Sequence, residues 1–352
     1  MTGRGIDQIL RRPVDPALHE PWITSALDYV RLAEEASGEI PRGVAPDYIW
    51  GDALGALAAR APELRIVNLE TAVTTSEAHA PKGINYRMHP ANIGVLTAAG
   101  IDAVTLANNH VLDWGEAGLL ETLETLEAAG VPFAGAGRTA AEAAEPVALA
   151  AGPGRVLLFG IGAPSSGIPP GWEAGPGPGV NLHLDHDRTV RGIARAAAAL
   201  RRPGDRVVVS IHWGANWGYE VPDRQRRLAW DLIDEAGADV VHGHSSHHPK
   251  AVELHSGRPI LYGCGDLIND YEGIGGRGEY RGELSLIYLP ELGADGALAA
   301  LAMLPFRVRR FRLEAAGPED RAWLAARMDR ECARFGARVE EAGGALRLAW
   351  PA

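Results

Sequence analysis

From position 240 the chain reads Val240-Val241-His242-Gly243-His244-Ser245-Ser246-His247-His248-Pro249-Lys250. A helix is predicted over residues 228–238, and Asp239-Val240-Val241 then has the pattern of a short buried strand. This strand leads into a turn with four histidines within seven residues, at a position where α/β folds bind ligands. Because neutral imidazole suits Zn, Mn and Fe, the stretch predicts a metal site in an α/β fold. The alternative is a solvated polar loop that is rich in histidine.

The composition indicates a globular protein and excludes several classes. The chain has 352 residues, 46% of them hydrophobic, which is enough for one large domain or two of ordinary size. A formal net charge of -11 argues against nucleic acid as a partner, because phosphate contacts need clustered Lys and Arg. The two cysteines, Cys264 and Cys332, lie far apart, so neither a disulfide framework nor a cysteine metal site is expected. No apolar run reaches the roughly 18 residues of a membrane span and no signal peptide is recognised, which predicts a cytoplasmic chain as given.

Polar side chains follow four of the predicted strands, the last of which is the strand 239–241 before the four histidines. A strand over residues 64–70 ends in Asn68 and Glu70, which share one face because side chains alternate along a strand. Strands over residues 101–107 and 206–211 end in Asn108-Asn109-His110 and in His212. A lone histidine at a strand end is more often a hydrogen-bonded core residue, and Glu70 can equally cap a turn. The whole set is more specific than any member and consists of Glu70, Asn109, His212, His244 and His247.

Helices and loops separate these strands. Helices are predicted over residues 28–36, 49–61, 91–99, 116–129 and 189–200, and an Ala-rich link leads to a further strand over residues 155–160. The Pro/Gly-rich loop 163–179 is predicted to be a lid over the site or a disordered tip, because long loops in compact domains are often functional. His183 and His186 lie beside two aspartates, but residues 181–186 alternate like an exposed strand edge, so no metal is assigned to them.

Five motifs occur in a characteristic order along the chain: Asn68-Leu69-Glu70-Thr71, Ala107-Asn108-Asn109-His110 with Asp113 and Gly115, His212-Trp213-Gly214, Gly237-Ala238-Asp239-Val240-Val241 with Gly243-His244 and His247, and Leu261-Tyr262-Gly263-Cys264-Gly265-Asp266. Their order resembles the CapA family, which is named for poly-γ-glutamate capsule synthesis and is similar to the calcineurin-like metallophosphoesterases. The resemblance covers roughly residues 1 to 290. It implies an α/β fold of the metallophosphoesterase type, a four-layer α/β/β/α sandwich, with one or two divalent ions, Mn, Fe or Zn, at the strand ends.

The resemblance also implies a role for each candidate residue. Glu70 resembles the carboxylate that bridges two metals, and His247 resembles a ligand of the first metal. The implied ligands of the second metal are Asn109, His212 and His244. The catalytic candidates are His110, as the acid beside the leaving group, and Asp113.

The sequence departs from the family pattern in two places. Gly265-Asp266-Leu267 stands where Gly-Asn-Phe is usual, so Asp266 adds a carboxylate of unassigned role. Family members open with Gly-Asp-Val-Met on a first strand whose Asp binds the first metal, whereas this chain begins at that Met. We therefore expect the first strand to be missing from the chain as given, and at most one metal to bind tightly.

The C-terminal part carries no site motif. Residues 306–313 read as a strand and residues 319–335 as an amphipathic helix with an apolar face. We interpret residues 1–293 as a CapA-like metallophosphatase domain and residues 294–352 as a strand-helix cap packed on it. The arginines of the strand indicate a charged edge strand or, alternatively, an anion site.

These residues support metal-assisted hydrolysis, with a phosphate ester as the expected substrate class. The alternative is an accessory protein of poly-γ-glutamate synthesis or export, whose site binds an acidic polymer without hydrolysing it. Of the 34 basic residues only Lys82 and Lys250 are lysines, and both lie beside site motifs. Because an ammonium does not replace a guanidinium, we predict that one or both, with Arg87, contact the anionic group of a small-molecule or polymer substrate. Chance placement of the two lysines is the alternative.

Overall fold

The computed structural model describes residues 1–275 and 278–351, which form a mixed α/β fold. The helices are α1 (Gly5–Ile9), α2 (Ala26–Ser37), α3 (Asp52–Arg60), α4 (Gly94–Ala98), α5 (Gly115–Ala128), α6 (Ala140–Ala144), α7 (His186–Leu200), α8 (Asp223–Asp234) and α9 (Pro318–Ala333). The strands are β1 (Ile66–Asn68), β2 (Ala72–Val73), β3 (Arg87–Met88), β4 (Ala103–Thr105), β5 (Phe133–Ala134), β6 (Ala136–Gly137), β7 (Val147–Ala151), β8 (Gly154–Gly162), β9 (Gly179–Val180), β10 (Arg206–His212), β11 (Val240–His244), β12 (Val252–His255), β13 (Arg258–Leu261), β14 (Leu284–Leu292), β15 (Leu298–Arg309), β16 (Arg312–Ala315), β17 (Arg338–Ala342) and β18 (Ala345–Ala349).

Within the described residues, most strands belong to three sheets. The first sheet is parallel, in the order β1-β4-β5. The second has the order β12-β13-β11-β10-β8-β7, with parallel pairs at its centre and antiparallel pairs at both edges. The third is antiparallel, in the order β14-β15-β18-β17, and β16 pairs with β15.

The first two sheets pack face to face, and helices cover the second sheet from outside. Val207, Val209 and Ile211 of β10 pack in one buried cluster with apolar residues of α7 and α8. Side chains alternate along a strand, so the intervening Ser210 points the other way and lies 3.1 Å from Thr105 of β4, Oγ to Oγ1. The carboxyl ends of β4 and β10 are therefore neighbours, although more than 100 residues separate them along the chain.

The structure confirms most predicted elements and corrects four of them. Residues 147–151, read as part of an Ala-rich link, form strand β7. Residues 181–186 do not continue as a strand edge, because Asp185 caps α7 by accepting from the backbone N–H of Arg188. Residues 306–313 form parts of two strands, since Arg310 and Phe311 have positive φ and turn β15 into β16. The helix predicted over residues 228–238 is α8, which begins and ends several residues earlier.

The C-terminal sheet is built on both sides of the predicted boundary at residue 294. β14 lies before that boundary and pairs along its whole length with β15, which lies after it. Phe306 and Phe311 are buried in the same apolar cluster as Ile6 and Trp50, so the last strands share a core with the start of the chain. Within residues 1–275 and 278–351, no helix combines the length and the apolar character needed to span a bilayer.

Candidate functional site

The polar strand ends meet at one edge of the two facing sheets. Parallel pairing places Asn68 of β1 beside Thr105 of β4, and His212 of β10 beside His244 of β11. Because the sheets touch at Thr105 and Ser210, the residues that follow β1 and β4 lie next to those that end β10 and β11. Four chain segments therefore contribute side chains to one site.

We call Glu70, Asn109, His212 and His244 the His212 cluster, because His212 contacts the other three side chains. Its Nε2 lies 3.0 Å from Oδ1 of Asn109 and 3.7 Å from Oε1 of Glu70. Its Nδ1 lies 2.7 Å from Nδ1 of His244. The structure thus brings together Glu70, the implied bridging carboxylate, and the three implied ligands of the second metal.

Residues outside the predicted set hold this cluster in place. Asn68 donates to Oε2 of Glu70 at 3.0 Å, and Asn108 donates to both Oδ1 of Asn68 and the carbonyl of Leu69. Ser210 Oγ lies 2.9 Å from Nε2 of His244. Asn68 lies two residues before Glu70 and Asn108 directly precedes Asn109, so both are close to predicted ligands in the sequence. Ser210 was missed by the sequence analysis, and the alternation of side chains along β10 is the signal that was present.

Burial changes the charge of the cluster. It raises the pKa of Glu70 to about 7, an effect that His247 opposes and Asp266 reinforces. It lowers the pKa of His212 and His244 well below that of a free histidine. Both imidazoles are consequently neutral at neutral pH, which is the form that binds metal ions.

His247 lies beside this cluster and is held by Asp266. Its Nδ1 is 3.1 Å and 3.0 Å from the two carboxylate oxygens of Asp266. Burial lowers the pKa of His247, but the charges of Asp266 and Glu70 outweigh burial, so that the pKa is raised. His247 and Glu70 thus influence each other electrostatically, although they follow strands of different sheets.

His110 and Asp113 form a second group, which also contains Lys82. His110 Nδ1 lies 2.7 Å from Oδ2 of Asp113, and Lys82 Nζ donates to Oδ1 of Asp113 at 2.6 Å and to the carbonyl of Asn109. The backbone N–H of Tyr86 donates to Asp113 at 2.6 Å. Burial, with the charges of Lys82 and Arg4, lowers the pKa of His110 well below its usual value, and burial raises that of Asp113 to about 7.

The three predicted anion-binding cations are in different places. Lys82 lies against His110, 3.3 Å from its Nδ1, and over the ring of Trp172. Arg87 instead pairs with Glu77 at 3.1 Å and lies over Trp114. Lys250 is buried and donates to the carbonyl of Glu220 at 2.5 Å. In the contacts of the described residues, Lys82 is thus the cation that touches the predicted site.

The loop 163–179 packs against the site. It contains two 3-10 turns, Pro164–Ser166 and Pro170–Trp172. Ser166 Oγ donates to the carbonyl of His212 at 3.1 Å, and the ring centroid of Trp172 lies 5.4 Å from Nζ of Lys82. This packing agrees with the interpretation of the loop as a cover over the site.

The donor set fits a divalent cation in its chemistry. It offers one carboxylate, one amide oxygen and neutral imidazoles, which are ligands of Mn, Fe and Zn. Among the residues that the structure describes, no three His, Cys, Asp or Glu side chains are already arranged around one cation position. The rings of His212 and His244 hydrogen bond to each other instead, so a bound cation would replace that contact.

Comparison with known proteins gives a consistent group of relatives. The family model described as "Bacterial capsule synthesis protein PGA_cap" matches residues 1–271. A "Probable polyglutamine synthesis accessory protein" of Mycobacterium tuberculosis is 45% identical over 345 residues, which cover 96% of this chain and 90% of the relative. "PGA biosynthesis protein CapA" of Bacillus subtilis is 30% identical over 60% of this chain and 54% of its own length. "Capsule biosynthesis protein CapA" of Bacillus anthracis is 27% identical over 54% of this chain and 46% of its own length.

Proposed function

This chain belongs to the bacterial capsule synthesis protein family PGA_cap, and from that premise we propose that it is a metal-dependent hydrolase acting on a phosphate ester. The observation that supports this proposal is the His212 cluster, in which His212 lies within 3.7 Å of a carboxylate, an amide oxygen and a second imidazole. The four-layer α/β/β/α sandwich of the metallophosphoesterases is part of the same proposal, since two sheets face each other here with the cluster at their edge.

The residues divide the work between binding and proton transfer. Glu70, Asn109, His212, His244 and His247 would be the ligands of the divalent cation or cations. A bound Mn, Fe or Zn ion would supply charge for the substrate's anionic oxygens and lower the pKa of a water molecule. Lys82, beside His110, is the cation available to a phosphate group.

His110 is the residue proposed to protonate the leaving oxygen. Its Nδ1 is bound by Asp113, which leaves Nε2 for proton exchange with the substrate. Because burial and nearby cations lower its pKa, the ring is neutral in the free protein at neutral pH. We expect the negative charge of a bound phosphate ester to raise this pKa and thereby to charge the ring.

Hydrolysis of p-nitrophenyl phosphate and bis(p-nitrophenyl) phosphate tests the proposal. Protein loaded with Mn, Fe or Zn should release p-nitrophenol, chelator should abolish the release, and Asn109→Ala should lower it by at least about 100-fold. His186→Ala is the control. His186 Nε2 lies 2.7 Å from Oδ2 of Asp231, and this pair is not part of the cluster. Turnover that persists in chelator, or that survives in Asn109→Ala, would contradict a metal-dependent reaction at this site.

We propose as a second function that of an accessory protein in poly-γ-glutamate synthesis, which is supported by relatives named as a probable polyglutamine synthesis accessory protein and as a PGA biosynthesis protein. In this case the same centre binds the carboxylates of an acidic polymer and hydrolyses nothing. Calorimetry with poly-γ-glutamate separates the two functions. Chelator-sensitive binding without phosphoester turnover supports the accessory role, whereas turnover without polymer binding supports the hydrolase.

A further inference from the structure

We propose that Asp266 is a positioning residue: by accepting from Nδ1 of His247, it leaves Nε2 of that ring as the nitrogen available to a cation. The inference rests on the proposed function, in which His247 is a ligand, and it assigns a role to a carboxylate that has none so far. Histidines that bind metals usually donate their other ring N–H to a carboxylate, a carbonyl or a water, which fixes the tautomer and the orientation of the ring.

The contact between the two side chains is short and shielded from water. Both carboxylate oxygens of Asp266 lie within 3.1 Å of Nδ1 of His247. The side chains are only 8% and 6% exposed, respectively, so water competes little for this hydrogen bond. Nδ1 is therefore the nitrogen that carries hydrogen in the neutral ring, and Nε2 keeps its lone pair.

Asp266 is itself held in position by its own loop. Asn269 donates to Oδ2 of Asp266 at 3.0 Å and to the carbonyl of Gly282 at 3.2 Å, while its own Oδ1 accepts from the N–H of Tyr271. Gly265 allows the loop to lie this close, because its φ is +73° and a Cβ there would be 2.9 Å from the backbone nitrogen of Pro249. The carboxylate is thus fixed before any ligand binds.

The remaining contacts of His247 support a fixed ring. The ring of Tyr271 packs edge-on against it, with centroids 5.2 Å apart and an angle of 79° between the planes. The backbone N–H of His247 donates to the carbonyl of Asn216 at 2.9 Å. Asp266 is less suited to bind the cation directly, because its two oxygens are already engaged by His247 and Asn269.

Calorimetric titration of chelator-treated protein with MnCl2 measures the consequence for binding. Asp266→Ala should weaken Mn binding by about 10–100-fold, the range typical of such supporting residues. Asp266→Asn keeps the volume and one acceptor oxygen, so it should lose less. The matched control is Asp234→Ala, which removes the carboxylate of a similar histidine pair on the protein surface. In that pair His255 Nε2 lies 2.8 Å from Oδ2 of Asp234. Affinity that is equal in wild type and Asp266→Ala would overturn the proposal.

Nitrogen-15 NMR of the histidine rings, recorded on metal-free protein at about pH 9, tests the tautomer directly. Wild-type His247 should carry its hydrogen on Nδ1, and Asp266→Ala should shift it largely to Nε2, the nitrogen favoured in a free imidazole. An unchanged tautomer in Asp266→Ala would overturn the positioning role. A wild-type protein that binds no Mn would refute the proposed function instead, and the tautomer measurement would still decide the role of Asp266.

Discussion

At the scale of single residues, His212 shows why four distant side chains act as one group. It is fully buried and touches Asn109, Glu70 and His244 through its two ring nitrogens. Burial lowers the pKa of His212, so that its ring is neutral. Burial also raises the pKa of Glu70, the one carboxylate of the cluster. The cluster consequently holds little fixed charge, and in the proposed function Glu70 would be the one anionic ligand that it offers to a divalent cation.

Glu70→Gln should therefore remove most of the metal affinity while leaving the fold intact. The amide has the same shape but offers no negative charge, and we expect Mn binding to weaken by at least about 100-fold in calorimetry. Glu77→Gln is the matched control, since Glu77 is an exposed carboxylate that pairs with Arg87. Similar losses in the two variants would show that general surface charge, rather than the cluster, attracts the cation.

Lys250→Met should stabilise the protein at pH 7 by about 1–2 kcal/mol, because it removes a buried charge that has a backbone carbonyl as its hydrogen-bond partner. Burial lowers the pKa of Lys250 to about 8. The unfolded chain binds this proton more strongly, so the wild type should gain stability between about pH 8 and pH 10 and the variant should not. Urea unfolding at pH 7 and pH 10 measures both effects.

Lys82→Met is the comparison for that experiment, because Lys82 pairs with the buried carboxylate of Asp113. Removing its charge leaves the buried carboxylate of Asp113 without its lysine partner and should cost about 2–3 kcal/mol at pH 7. A loss of stability in both variants would mean that Lys250 also has an anionic partner in solution.

At the scale of elements, the two faces of strand β10 have different roles: one face packs in the core, and the other face lies toward the site. Val207, Val209 and Ile211 pack under the helices, whereas Ser210 and His212 lie on the side of the first sheet and reach the cluster. The start of the same strand is anchored by Asp205, which accepts from the backbone N–H and the guanidinium of Arg155 at the start of β8. This contact supports the register in which β8 and β10 pair, and the register determines where their carboxyl ends lie at the site.

Asp205→Asn should lower the free energy of unfolding by about 1 kcal/mol at pH 7, a value that allows for solvent screening. The hydrogen bond from Arg155 lowers the pKa of Asp205 to about 2, below its value in the unfolded chain. The stabilisation is present above about pH 4 and is lost as the pH falls to about 2. Urea unfolding at pH 7, 4 and 2.5 should show the difference shrinking with pH. The control, Asp187→Asn, removes an exposed pair with Arg191 in the first turn of α7 and should lower stability at pH 7 by less, about 0.5 kcal/mol.

At the scale of the whole molecule, the C-terminal sheet is part of the fold that supports the site. Arg310 and Phe311, in the turn between β15 and β16, donate their backbone N–H groups to Glu272, and Tyr48 donates to the carbonyl of Arg310. Phe311 is fully buried in the apolar cluster that also contains Ile6. The last strands and the first helix are therefore expected to unfold together.

Phe311→Ala should cost about 3–5 kcal/mol and lower the melting temperature of the whole chain in a single calorimetric transition. Val339→Ala, in the edge strand β17, is a smaller change to the same sheet and should shift the same transition by less. Two transitions, of which only one moves in Phe311→Ala, would show that the C-terminal sheet is an independent domain.

The sequence by itself determined which residues end the strands. Alternating and buried patterns located β4, β10 and β11 because these signals are local to a few neighbouring residues. The polar residues at or just after the ends of these strands included Asn109, His212 and His244. Only the tertiary structure decided where longer side chains point: Arg87 turns to Glu77, and Lys250 turns to the carbonyl of Glu220. The same holds for Asp266, whose partner His247 is 19 residues away. Contacts of this kind depend on how loops pack between sheets, and no local pattern of residues encodes that packing.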